Sequence, residues 1–178
     1  GLQLNWSCPN TGHGLPEWDE LVREVLAGLD IASGLGIPLV VKISVLFPAW
    51  VAQRITEHPA CDALCVSNTV PWAEFPDQID WEGLFGTKGS PLAEFGGGGL
   101  SGAPIFPIVL RLLYEAKRQS RIKKPICAGG GILTKDNIAA FHAHGASAVS
   151  LGSVAILRPW RVRGLIDFAH QCFRKRRL

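Results

Sequence analysis

Two neighbouring stretches, Pro125-Ile-Cys-Ala-Gly-Gly-Gly-Ile132 and Gly145-Ala-Ser-Ala-Val-Ser-Leu-Gly-Ser153, decide the fold class of this chain. In each, a short apolar run closes on glycine, as a buried strand running into a tight turn does. Between them, Thr134 stands where a helix N-cap belongs, Lys135–His144 reads as helix, and Gly145 takes the position just past its end. Strand, helix and strand in that order form a βαβ unit, whose two strands run parallel.

The same alternation extends back to the first residue. Strand-like runs occur at Leu2–Trp6, Pro38–Ser44 and Ala63–Ser67, and the later pair are Pro125–Ala128 and Ala148–Leu151. Trp18, Leu21, Val22, Val25, Leu26 and Leu29 recur at helical spacing behind Pro16, and Ala49 to His58 carries a stripe of Val51, Ala52 and Ile55. Phe106–Gln119 forms a further helix, with Ile108, Val109, Leu112, Leu113 and Ala116 inward. The last helix is expected from Pro159, with Val162, Leu165, Ile166, Ala169 and Phe173 on one face. This order gives an α/β fold with a parallel sheet of five βα units, either part of a barrel or an open doubly wound sheet. Residues 1–178 read as a single domain. Val70–Gly99, rich in Trp, Asp, Gly and Pro, reads as a long active-site loop or lid.

Composition narrows the class. Of 178 residues, 47% are hydrophobic and 19% charged, which excludes a disordered chain, and a mean hydropathy of +0.19 goes with apolar runs too short to span a bilayer. The net charge of +3 hides an asymmetry, because Arg174-Lys-Arg-Arg177 carries four positive charges and the rest is nearly neutral. That tail reads as a solvated terminus, so neither a nucleic-acid nor a membrane partner is expected. Five cysteines, an odd number, argue for a reducing, cytoplasmic setting over a disulfide framework. The chain opens inside a strand-like run without methionine, from which a missing N-terminal segment is expected.

Candidate chemistry lies at the ends of the strands, where parallel α/β folds place their sites. Gly130-Gly131 and Gly152-Ser153 follow successive strands, and such turns let backbone N–H groups approach a phosphate. Lys42 lies inside an apolar strand, a costly place unless its ammonium meets an anion at the strand end. Asn5, Asn10 and Asn68 supply amides suited to the edge of a planar heterocycle. Cys8, in Ser-Cys-Pro-Asn, is a candidate base or nucleophile. Cys127 and Cys172 read as small buried hydrophobes. Cys61 and Cys65 lack a matching ligand pair, so no metal site is expected.

Taken together, these residues resemble the dihydroorotate dehydrogenase family of FMN-dependent (β/α)8 barrels. The family's Asn-x-Ser-Cys-Pro-Asn is matched at Asn5–Asn10, its strand lysine at Lys42, and its Asn-Thr at Asn68-Thr69. Its Gly-Gly-Leu-Ser-Gly is matched at Gly98–Gly102, and its later Gly-Gly-Ile and Gly-Ala-Ser-Ala-Val-x-x-Gly at Gly130–Ile132 and Gly145–Gly152. The resemblance implies the C-terminal part of a TIM-type barrel, with FMN held by Lys42, Gly99, Gly130, Gly131, Gly152 and Ser153. It implies a small pyrimidine substrate held by Asn5, Asn10, Asn68 and Thr69. Cys8 would remove the C5 proton as hydride leaves C6 for flavin N5, oxidising dihydroorotate to orotate in pyrimidine biosynthesis. Lys42 would favour the anionic reduced flavin. The first three barrel strands are absent from the sequence, Ala128 stands where the family usually has glycine, and a homodimer is compatible with the pattern. The alternatives are a related FMN barrel acting on another pyrimidine or enone, and a non-catalytic barrel fragment.

Overall fold

The computed structural model describes residues 1–6, 18–118 and 122–174. Five strands form one wholly parallel sheet: β1 (Leu2–Asn5), β2 (Leu39–Ile43), β3 (Ala63–Val66), β6 (Ile126–Gly129) and β7 (Ala148–Ser150). They lie side by side in that order, with β4 (Val70–Pro71) and β5 (Gly99–Leu100) forming a separate antiparallel pair. The sheet therefore never reverses its winding. A doubly wound sheet reverses at a switch point, whereas a barrel wall advances in one direction, so the observed order is that of a barrel wall.

The helices follow the same sequence. α1 (Trp18–Ser33) packs on α2 (Ala49–Glu57), α2 on α4 (Phe106–Arg118), α4 on α5 (Lys135–Ala143), and α5 on α7 (Val162–Phe173). Their apolar stripes bury Val25, Leu29, Val51, Ile55, Val109, Leu113, Ile138 and Phe141 against the sheet. Strand alternation supplies the other half of that core. Val41, Leu64 and Ile126 are register partners and fully buried, while Gln3, Asn5, Val40, Lys42 and Ser150 point to the opposite, more open face.

The structure corrects several sequence expectations. Pro159–Arg161 is a 3-10 turn, and α7 begins only at Val162. An additional short helix, α6 (Ser153–Leu157), precedes it. Residues 70–99 are folded as well: β4 pairs β5, and α3 (Trp81–Phe85) lies between them. Asp80 caps α3 by accepting the Gly83 N–H at 2.8 Å, and Gly86 closes it in the left-handed conformation. Trp72 packs on Trp81 with ring centroids 4.7 Å apart and on Phe85 at 5.3 Å. The Trp81 indole donates to the Glu74 carbonyl at 3.0 Å, giving this segment a small core of its own.

Candidate active site

Parallel register brings the sequence candidates to one edge of the sheet. Asn5 on β1 is the register partner of Lys42 on β2, which is the partner of Cys65 on β3, which in turn is the partner of Cys127 on β6. This row lies on the face away from the helices. Just beyond β3, the Asn68 side-chain amide donates to Asn5 Oδ1 at 3.3 Å, and Asn68 Oδ1 accepts the Thr69 N–H at 3.0 Å. Two of the three candidate asparagines therefore meet across 63 residues of sequence. Cys8 and Asn10 fall outside the described residues.

Thr69 leads into β4 and faces Gly99 on β5. A methyl carbon on Gly99 would lie 2.5 Å from Thr69 Oγ1, so the absence of a side chain there is what lets the inserted segment close onto the end of β3. The glycines after β6 are bound by packing too. Gly131 has φ +73°, and a methyl carbon on it would lie 2.7 Å from the Gly102 carbonyl oxygen and 3.0 Å from the Phe106 nitrogen. The Ser67 hydroxyl joins the same edge, donating to the Gly129 carbonyl at 3.3 Å.

The turn after β7 differs. Gly152 precedes α6, and among the described residues nothing fills the space where its side chain would be and no side chain caps the α6 N-terminus. By contrast, the N-terminus of α5 is already satisfied. Thr134 Oγ1 accepts the Asn137 N–H at 3.3 Å, while the Asn137 side chain accepts the Leu133 and Thr134 N–H groups at 3.1 and 3.0 Å. Register pairing of Gly129 with Ser150 sets the two glycine turns beside each other at the same end of the sheet. An uncapped turn at the same end of the sheet as two amides and a lysine is an arrangement that a phosphate-bearing planar cofactor fits.

Sequence reasoning missed the middle of the row. Cys127 is partly exposed rather than a buried hydrophobe, and it is the register partner of Cys65. The neighbouring Cys127 thiol, with a smaller contribution from the Lys42 charge, holds Cys65 below the ordinary thiol range in spite of burial. Cys127 is pushed far up by the neighbouring Cys65 side chain and its charge and by desolvation. Aligning the strand starts by hydrophobic pattern would have paired these cysteines, but register across 62 residues is a tertiary property. Cys61 is fully buried at the entrance to β3, bonded to the Ala63 carbonyl, with its thiol pushed up by burial. Among the described residues no three His, Cys, Asp or Glu side chains gather as a metal site would require, and no helix is long and apolar enough to cross a membrane.

Comparison with known proteins supplies a context for this geometry. The family model described as dihydroorotate dehydrogenase matches residues 1–166. The chain is 37% identical over 164 residues to a Solibacter usitatus protein bearing the name of dihydroorotate dehydrogenase A (fumarate), covering 89% of this chain and 49% of that one. It is 31% identical over 172 residues to the catalytic subunit of dihydroorotate dehydrogenase B (NAD(+)) of Endomicrobium trichonymphae, covering 93% and 51% respectively. The ligand-free DHODH crystal structure from Eimeria tenella superposes with a TM-score of 0.67 at 21% identity, over 94% of this chain and 49% of that one. The chain thus spans about half the length of the relatives it matches.

Proposed function

The chain belongs to the dihydroorotate dehydrogenase family, and on that premise we propose that it is the flavin- and substrate-binding part of an FMN-dependent barrel that oxidises dihydroorotate to orotate. The observation that carries this reading is the row of Asn5 and Lys42, joined by Asn68, at the same sheet end as the uncapped turn at Gly152. Backbone N–H groups of Gly130, Gly131, Gly152 and Ser153 would hold the FMN phosphate, with Gly99 on the opposite side of the edge. Bound there, FMN would supply the hydride acceptor that no amino-acid side chain provides.

The protein's own groups do the remaining work. Asn5, Asn10, Asn68 and Thr69 hold the pyrimidine through amide and hydroxyl bonds to its ring edge, fixing the face presented to the cofactor. Lys42 places a positive charge where negative charge develops. Cys8, three residues after Asn5 in the sequence, takes the C5 proton. The segment 70–99 serves as the lid over this edge. Three further strands between β7 and β1 close the wall into a barrel, so the N-terminal half is the partner the chain needs, whether fused or separate.

The test joins residues 1–178 to the N-terminal barrel half of a relative and titrates FMN, then adds dihydroorotate without oxygen. One FMN per chain and bleaching of its absorbance are expected. Cys8→Ala should retain the flavin and slow bleaching by ~10²–10⁴-fold, with Cys8→Ser between it and the native chain. Rapid bleaching in the alanine variant would assign the base elsewhere; bound flavin that dihydroorotate never bleaches would mean a different substrate.

A further inference from the structure

The row across the sheet holds a second chemistry that the proposed oxidation does not use. Cys65 and Cys127 are direct register partners on adjacent parallel strands, with side chains on the same face. Hydrogen-bonded neighbours in a sheet stand ~4.8 Å apart, inside the ~4.4–6.8 Å span between Cα atoms that a disulfide bridges. Cys65 has 4% of its surface exposed, while Cys127 is more open and gives the pair its access to solvent. Lys42, the next partner along the row, acts on Cys65 as a neighbouring positive charge. Cys61 lies outside the row, bonded to a backbone carbonyl instead.

We propose that Cys65 and Cys127 form a thiol–disulfide modification site on the inner wall of the sheet, oxidised by small disulfides and reduced by thiols. The inference is independent of which cofactor or substrate the site edge takes. One cysteine of the pair attacks a small disulfide as thiolate, forming a mixed disulfide and releasing one thiolate of the reagent. The second cysteine then loses its proton and attacks the protein sulfur of that mixed disulfide, closing Cys65–Cys127 and releasing the second reagent thiolate. The protein loses two hydrogens, and one reagent disulfide becomes two thiols. Lys42 supports the thiolate that starts the exchange, and the pair's separation, at the short end of the disulfide span, favours a bond that thiols can reverse. Closure staples β3 to β6 directly beneath the glycine turn that follows β6.

The native chain is incubated with oxidised glutathione, its remaining thiols are alkylated under denaturing conditions, and its peptides are mapped. The expected product links the segment bearing Cys65 to the segment bearing Cys127, and dithiothreitol reverses it. Cys61→Ser should keep the link. Cys127→Ser and Cys65→Ser should lose it and instead trap glutathione on the remaining member of the pair. A second measurement uses the unaltered chain alone: phenylarsine oxide, which bridges adjacent thiols, should protect Cys65 and Cys127 from alkylation together. A link through Cys61 or Cys8, a link between two chains, or free Cys65 and Cys127 after both treatments would overturn the proposal.

Discussion

A side chain placed on Gly131 would run into the Gly102 carbonyl and the start of α4, whereas one placed on Gly152 would touch none of the described residues. The two turns sit at the ends of adjacent strands and look alike in sequence, yet glycine is there for different reasons. After β6 it allows one backbone segment to pack on another in a left-handed conformation. After β7 the φ of Gly152 is −117°, a value open to other residues, and no described residue fills the space beside it. A glycine demanded by packing and a glycine with space beside it cannot be told apart by residue type. The helices beyond the turns repeat the contrast: α5 is capped by its own Thr134 and Asn137, while among the described residues no side chain caps α6.

The comparison is broken or sharpened by four variants. Gly131→Ala should have the largest effect, combining the ~1–2 kcal/mol cost of a left-handed residue with ~1–3 kcal/mol of overpacking. Denaturant melts should show a large fall in midpoint; an unchanged midpoint would mean that the loop carrying Gly102 yields freely. Gly152→Glu should leave stability nearly as it is and weaken FMN binding by at least ~10-fold, because like charges would meet at the turn. Fluorescence titration of FMN reads this, and undiminished binding would move the phosphate away from β7. Thr134→Ala should cost ~1 kcal/mol of stability through loss of the α5 cap, with flavin affinity unchanged. Gly152→Ala should be the mildest, within ~0.5 kcal/mol in a melt; a larger loss would show a packing demand at Gly152 like that at Gly131.

Much of this was legible in the chain. Each of the five expected strand runs holds an observed strand, with boundaries off by no more than a residue at either end, as at Trp6, Pro38, Ser44 and Leu151. The cap at Thr134 and the stop at Gly145 are local signals, and both are present, the latter with φ +94°. α6 escaped notice because five residues without a cap or a polar face give no periodicity to read. α3 carried its own cap and stop at Asp80 and Gly86, but its short length kept a helical pattern from emerging within the Trp-rich segment. The asparagines and Lys42 stood out because polar side chains in or just beyond apolar strands need a partner.

The sequence by itself determined the alternation of strands and helices, the parallel sense of the sheet and the glycine turns at its strand ends. These follow from periodicity and capping, which act over a few residues. The tertiary structure alone decided that the wall advances in one direction, that Asn68 reaches Asn5, and that Cys65 faces Cys127. Each depends on which strands pair and in what register, and register is set by the burial of one whole face rather than by any local run of residues.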